Sequence, residues 1–177
     1  MLARRARAAL RRRLEAPWCV LDTETTGLGP RDEVLEVAVV DPAGALLVGS
    51  LVQPRAPITR ESSRVHGLGL ASLVDAPPWT DVWPSVRAAL EDRTLVAFHA
   101  AFDVRLLRQT CARHGQPFAI RRVECLRAWS RRILGRDVHS LAHAAARVGL
   151  EPPRHRAEPD ARLARALLLR LLEEDVV

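Results

Sequence analysis

Three stretches near the start of the chain are rich in β-branched and aliphatic residues. They cover residues 18–23, 34–40 and 46–52. The sequences between them, Gly-Leu-Gly-Pro at 27–30 and Asp-Pro-Ala-Gly at 41–44, are typical of turns. Because short connections join neighbouring antiparallel strands, the pattern predicts a three-stranded antiparallel meander.

Beyond the third stretch the pattern changes from strand to helix. Residues 53–78 are rich in proline and predict a loop with one short helix at 60–65. Apolar residues at helical spacing predict five further helices, and a short apolar run predicts a fourth strand. The helices cover 79–90, 103–113, 126–133, 141–148 and 163–172, and the strand covers 94–98. This order predicts one α/β domain with a mixed sheet.

An amphipathic helix is predicted before Pro17, because Leu2, Ala6, Leu10 and Leu14 lie four residues apart with arginines between them. A helix that packs on the domain with a solvated arginine face is the favoured interpretation. The alternative is a basic arm, residues 1–16, that lies on nucleic acid.

Charge is unevenly distributed along the 177 residues. The chain has 27 basic and 21 acidic residues, a net charge of +6 and a pI near 10.9. Every basic residue is arginine, and lysine, asparagine and tyrosine are absent, which indicates a genome-wide codon bias. Six of the arginines lie in residues 1–13, so the rest of the chain is formally neutral. The net charge alone is therefore weak evidence for an anionic partner.

Several protein classes are disfavoured. The three cysteines form no C-x-x-C pair, which argues against a disulfide framework or a zinc site and favours the cytoplasm. The longest stretch without charge, residues 42–54, is shorter than the roughly 18 residues that span a membrane. We therefore expect a cytoplasmic protein with no membrane association.

The end of the first predicted strand carries two carboxylates. Asp22 and Glu24 are two residues apart and so share one face of the strand. After an apolar strand such a pair would repel itself unless a cation lay between the groups, and Mg²⁺ or Mn²⁺ suits hard oxygen ligands. Alone, the pair is more typical of a solvated strand end before a turn than of a metal site. Asp103 and Asp160 each lie near a predicted helix start, where aspartate is common without any catalytic role.

Together these acids form a pattern of three motifs: Asp22-Thr23-Glu24-Thr25-Thr26-Gly27, His99-Ala100-Ala101-Phe102-Asp103 and His155-Arg156-Ala157-Glu158-Pro159-Asp160. In this order the chain resembles the DEDDh family of 3′–5′ exonucleases, which includes exonuclease X and the epsilon subunit of bacterial DNA polymerase III. The resemblance covers residues 17–172 and extends to Val65-His66-Gly67-Leu68. It implies a ribonuclease H-like fold, a mixed five-stranded sheet flanked by helices, with residues 17–177 as the exonuclease domain.

The resemblance also implies roles for the acids and one histidine. Asp22, Glu24 and Asp160 would bind two Mg²⁺ or Mn²⁺ ions directly, and Asp103 would join through water. His155 would be the general base, since histidine side chains titrate close to neutral pH. Hydrolysis at the 3′ end would release nucleoside 5′-monophosphates.

The resemblance further implies a pocket for the terminal nucleotide, formed by Thr25, Thr26, Leu28, His66 and Phe102. For Leu28 and Phe102 a plain packing role is the alternative. The sequence departs from the usual family pattern at two positions, where Ala100 replaces asparagine and Gly69 replaces threonine.

Nucleic acid is the expected partner, with single-stranded DNA favoured over RNA. An exoribonuclease and a non-catalytic polymerase-accessory module are the alternatives. Six arginines against one acid in residues 121–136 suggest either a phosphate-binding groove or a solvated helix face. No sliding-clamp motif is evident, and a stand-alone nuclease is expected; a polymerase partner stays an open question.

Overall fold

The computed structural model describes residues 1–174. Its strands are β1 (Trp18–Thr25), β2 (Val34–Val40), β3 (Leu46–Leu51), β4 (Thr94–Ala97) and β5 (Val123–Cys125). Its helices are α1 (Leu2–Arg13), α2 (Arg60–His66), α3 (Leu70–Leu73), α4 (Trp79–Leu90), α5 (Ala100–Arg113), α6 (Leu126–Ile133), α7 (Leu141–Arg147) and α8 (Ala157–Leu172). Within residues 1–174, no helix has both the length and the apolar character needed to span a membrane.

The five strands form one mixed sheet in the order β3-β2-β1-β4-β5. Strands β1, β2 and β3 pair antiparallel, which confirms the predicted meander. Strands β4 and β5 run parallel to β1. The carboxyl ends of β1, β4 and β5 therefore lie at the same edge of the sheet.

Helices cover both faces of the sheet, and β1 contributes to both cores because its side chains alternate. Val20 packs with residues of α1, α6 and α8 on one face. Cys19 and Leu21 pack with residues of α4 and α5 on the other. The carboxyl end of β1 thus lies between α8 on one face of the sheet and α5 on the other. Its polar side chains can therefore contact either helix, according to the face on which they lie.

Helix α1 packs on the domain, as its apolar spacing favours. Leu10 is fully buried against α6 and α8. The Nε of Arg7 donates to the carbonyl of Leu171 at 3.2 Å, and the guanidinium of Arg11 donates to that of Leu172 at 2.5 Å. The helix therefore shares a core with the rest of the chain. That its arginine face binds nucleic acid stays a prediction.

Strand β5 and helix α8 are among the elements that differ from the sequence expectation. Strand β5 was not placed by the apolar pattern, since it has only three residues and is held by pairing with β4. Helix α8 begins at Ala157, so that Asp160 lies in its first turn and does not open the helix. Pro159 is compatible with this start, because the first turn of a helix needs no intrahelical donor.

Candidate active site

The polar residues of β1 meet those of α5 and α8 at the carboxyl edge of the sheet. A cavity of about 250 Å³ opens there. Among the residues that line it are Asp22, Glu24, Asp103, His155 and Asp160. The structure thus brings together all five residues for which the sequence predicts a catalytic role.

Three of the carboxylates form a tight group. Asp22 and Glu24 point toward α8, which contributes Asp160, and one carboxylate oxygen from each lies within 4.8 Å of the others. Asp160 is only 4% exposed. Such a group of oxygen ligands is small enough to contact a common cation.

Asp103 reaches the same cavity from the opposite face of the sheet. It lies in the first turn of α5 and accepts a hydrogen bond from the Thr23 hydroxyl at 3.0 Å. Thr23 lies between Asp22 and Glu24 on β1, so its side chain points away from theirs. This is why Asp103 lies outside the tight group while still lining the cavity.

Burial disfavours ionisation of these carboxyl groups. It raises the pKa of Glu24 to about 8, with the charge of Asp160 adding to the effect. It raises the pKa of Asp103 to about 7, against the hydrogen bond from Thr23. The pKa of Asp22 lies well above its usual range because of burial and of the nearby Asp103 and Glu24 charges. Burial raises the pKa of Asp160 as well.

Divalent cations fit this cluster. Four carboxyl groups converge in a partly buried cavity, and Asp22, Glu24 and Asp160 come close enough to share a cation. Oxygen ligands of this kind suit Mg²⁺ and Mn²⁺, and the positive charge of such ions would offset the burial and the mutual repulsion that disfavour ionised carboxyl groups.

His155 lies on the loop that precedes α8, and its side chain is exposed. The backbone N–H groups of Arg154 and His155 donate to the two oxygens of Asp160 at 2.8 and 3.1 Å. His155 has a φ of 53°, in the left-handed region that few residues other than glycine adopt. The Asp160 carboxylate thus ties this loop to the acidic cluster and holds the imidazole at the cavity.

A second cavity of about 250 Å³ adjoins the first, and Thr25, Leu28, His66 and Phe102 are among its lining residues. Both ring nitrogens of His66 have partners, because Nδ1 accepts from the Leu68 N–H at 3.0 Å and Nε2 lies 3.3 Å from the Thr25 carbonyl. Burial lowers the pKa of His66. His66 is thus a buried, hydrogen-bonded wall of this cavity.

Thr26 is not among the residues that line either cavity, and its contact with substrate stays a prediction. Its side chain is fully buried, its hydroxyl donates to Asp32 at 2.8 Å, and it accepts from the Glu33 N–H at 2.9 Å. Its carbonyl accepts from the Thr59 N–H at 2.8 Å. The polar groups of Thr26 therefore stabilise the loop after β1.

Comparisons with known proteins identify the family. A family model described as exonuclease matches residues 19–168. An uncharacterised exonuclease of Escherichia phage 186 is 32% identical over 170 residues, which is 88% of each chain. The chain belongs to the exonuclease family.

Other relatives agree with this assignment. A PolC-type DNA polymerase III of Thermotoga maritima is 34% identical over 165 residues; the match covers 90% of this exonuclease but 12% of the polymerase. The solved structure of exonuclease X with 5′-overhanging duplex DNA has a TM-score of 0.71 at 26% identity, over 88% of this chain and 90% of that one. The nuclease domain of 3′hExo, described as a DEDDh family member bound to rAMP, has a TM-score of 0.73 at 15% identity over 90% and 93%. These likenesses confirm the ribonuclease H-like fold.

Glu36 and Arg156 form an ion pair beside the acidic cluster, although the sequence motifs did not single out either one. Glu36 lies on β2 directly opposite Glu24. Its carboxylate accepts from Nε and a terminal nitrogen of Arg156 at 2.9 and 2.7 Å and from the Ala157 N–H at 3.0 Å. This pairing neutralises a charge beside Glu24 and caps α8 next to His155. One glutamate within the otherwise apolar run of β2 was the available signal.

We expect the Arg156→Ala exonuclease to lose about 1–3 kcal/mol of unfolding free energy and about tenfold in kcat, because Glu36 would be left unpaired and the His155 loop would lose an anchor. Urea unfolding and steady-state rates measure both effects. Adding Glu36→Gln should recover part of the stability. Arg170→Ala, which breaks an exposed pair with Glu173, is the control and should cost less than about 0.5 kcal/mol. Equal costs for the two arginines would contradict the assignment.

The arginine-rich residues 121–136 make several contacts within the exonuclease itself. The Nε of Arg131 donates to the Arg136 carbonyl at 2.9 Å, and the Arg132 guanidinium lies 4.9 Å from the centroid of the Trp129 ring. These contacts fit a helix face with structural arginines. A phosphate-binding groove here stays a prediction.

Proposed function

We propose that this exonuclease removes nucleotides from the 3′ ends of single-stranded or frayed DNA and belongs to the DEDDh subtype. The observation that carries the proposal is the group formed by Asp22, Glu24 and Asp160, which shares one cavity with Asp103 and His155. Acidic residues from three separate elements converge there with a histidine. That combination suits hydrolysis of a phosphodiester.

In this proposal Asp22, Glu24 and Asp160 hold two divalent cations, and Asp103 contributes through water. When bound, such cations supply charge stabilisation on both the attacking and the leaving oxygen of an in-line displacement. The carboxylates would hold these cations at the edge of the sheet and compensate their charge. Without metal the pKa values of the acids are raised, and cation binding would lower them.

His155 acts as the general base. One nitrogen of its neutral imidazole accepts a proton from the attacking water, whose oxygen then bonds to phosphorus. The bond from phosphorus to the 3′-oxygen of the preceding nucleotide breaks, and that oxygen takes a proton from solvent. The products are a nucleoside 5′-monophosphate and a strand with a new 3′-hydroxyl. Because His155 is exposed, its proton can return to solvent.

The adjoining cavity would receive the terminal nucleoside. Leu28 is 74% exposed beside this cavity, and Phe102 lines both cavities. An exposed aliphatic side chain and an aromatic ring suit the faces of a nucleobase, which stack without regard to sequence. The polymerase relative and the DNA complex of exonuclease X favour DNA as the substrate.

The test uses short DNA and RNA strands labelled at the 5′ end, incubated with Mg²⁺ or Mn²⁺. We expect a ladder of progressively shorter labelled DNA, release of nucleoside 5′-monophosphates, and loss of both with EDTA. The Asp22→Ala variant is the matched negative control. Immediate release of the label as a mononucleotide would contradict the 3′–5′ direction. Faster shortening of RNA would make the protein an exoribonuclease, and no EDTA-sensitive shortening of either strand would overturn the enzymatic proposal.

A further inference from the structure

Leu28 is an exposed apolar side chain on a backbone that is held unusually firmly. Within its loop, Asp32 accepts from the Gly29 N–H at 2.6 Å and from the Thr26 hydroxyl at 2.8 Å. A Cβ on Gly27 would lie 2.6 Å from the Asp32 carboxylate, so only glycine fits there. The loop therefore presents Leu28 from a fixed position.

Helix α5 holds the same loop from outside. The Arg105 guanidinium donates to the carbonyls of Leu28 and Gly29 at 3.2 and 3.3 Å. The amide of Gln109 donates to the carbonyls of Gly29 and Asp32 at 3.2 and 2.9 Å. Arg105 also donates to the Gln109 amide oxygen at 2.7 Å, which keeps the two side chains together. Two neighbouring side chains thus satisfy three carbonyls of one exposed loop.

Arg105 also contacts the other wall of the second cavity. Its guanidinium carbon lies 5.3 Å from the centroid of the Phe102 ring, within the range of a cation–π interaction. Phe102 and Leu28 both line this cavity. One side chain therefore joins the backbone beneath Leu28 to the ring of Phe102.

We propose that Arg105 is a positioning residue that, with Gln109, holds Leu28 and Phe102 in place as walls of the second cavity and so sets how strongly the terminal base contributes to cleavage. The proposal rests on the proposed 3′–5′ exonuclease activity. If the two walls are already ordered, binding of substrate does not have to order them and loses no conformational entropy there. The contact with the base then contributes more to the binding free energy. Arg105 acts on the base through these two walls.

The experiment compares two DNA strands labelled at the 5′ end that differ only in the 3′-terminal residue. One ends in thymidine and the other in a tetrahydrofuran abasic residue. The quantity measured is the ratio of their kcat/KM values for removal of that residue. We expect the parent to favour thymidine by about tenfold or more, and Arg105→Ala to reduce this ratio at least about fivefold, mainly through KM.

Arg108→Ala is the matched control. Arg108 is on the same helix and lies 5.3 Å from the centroid of the Phe118 ring, so its loss removes an equivalent charge and ring contact away from the loop. The ratio for this variant should stay within about twofold of the parent. Leu28→Ala should reduce the ratio as Arg105→Ala does, and the double variant should reduce it little further, because both act on one contact.

The outcomes separate this proposal from the proposed function. If the parent shortens neither strand, the proposed function fails. If the parent cleaves and Arg105→Ala keeps the parental ratio, the positioning role is overturned while the exonuclease stands. If Arg105→Ala does not fold, the same ratio is measured for Arg105→Lys and Gln109→Ala, since each removes part of the contact with the loop. Both should reduce the ratio by at least about twofold, and a ratio equal to that of the parent in both would overturn the proposal.

Discussion

In EDTA at about pH 8.5, the Asp22→Asn variant is expected to unfold at a higher temperature than the parent. With metal present, the same variant is expected to degrade DNA about 10³-fold more slowly than the parent. The amide keeps the shape of the carboxyl group but cannot ionise in the buried cluster. The gain should be about 1–2 kcal/mol, which corresponds to about 2–8 °C for a chain of this size. The loss of activity follows from the missing oxygen ligand and would be measured with a labelled DNA strand in Mn²⁺.

The pH dependence of stability independently tests whether ionisation of these carboxyl groups destabilises the metal-free protein. A carboxyl group whose pKa is raised in the folded state stabilises the fold at low pH, and this stabilisation is lost as pH rises through the folded value. For Glu24 the loss runs from pH 4.5 to about 8, and for Asp103 from 3.8 to about 7. The metal-free parent should therefore be less stable at about pH 8.5 than at about pH 6. Mg²⁺ or Mn²⁺ should raise its unfolding temperature more at the higher pH.

Asp75→Asn is the control, because Asp75 is exposed and lies outside the cavities described above. It should change neither the unfolding temperature in EDTA nor the rate. An Asp22→Asn protein that is no more stable than the parent at about pH 8.5 in EDTA would show that the carboxylate cluster is not repulsive.

Replacing His155 should lower kcat by about 10²–10⁴-fold while DNA binding changes little, because the side chain takes a proton but does not hold the substrate. The backbone N–H of residue 155 still donates to Asp160 in any variant except proline, so the acidic cluster keeps this contact. His155→Ala and His155→Asn should be compared, since asparagine adopts the left-handed backbone conformation more readily than alanine. Single-turnover rates and fluorescence anisotropy with labelled DNA measure the two quantities.

The pH profile shows whether the imidazole is responsible. Only a neutral imidazole accepts a proton, so the parent rate should rise with pH in the acid range, and this rise should be much weaker in both variants. His143→Ala, which removes a histidine outside both cavities, should keep the parental rate and profile. An unaltered rate and profile in His155→Asn would remove His155 from the mechanism.

The parts of the site that the sequence predicts are those set by local periodicity. Alternation along β1 places Asp22 and Glu24 on one face, and the structure has them there with Asp160. Apolar runs predicted β1 to β4, although β1 extends two residues further than the pattern indicated. Motif order then led to Asp103 and His155, which line the same cavity.

The parts that the sequence does not predict depend on contacts between distant residues. The capping of α8 by Glu36 joins residues more than a hundred positions apart, and no local pattern encodes it. The inward hydroxyl of Thr26 follows from the position of Asp32 across a folded loop. Strand β5 exists through its pairing with β4. In the sequence, Glu36 was only a polar residue in an apolar run, Thr26 was expected to contact substrate, and β5 had no apolar pattern of its own.

The packing of α1 has a consequence for how the chain reaches its native state. The hydrogen bond from Arg7 to Leu171 spans 164 positions, and Leu10 is buried against α8 as well as α6. The ribosome synthesises α1 long before α8, so the apolar face of α1 cannot pack against α8 until synthesis is nearly complete. Contacts of such high sequence separation slow folding and keep hydrophobic surface open in the meantime. The helix that leaves the ribosome early is thus among the last to complete its contacts.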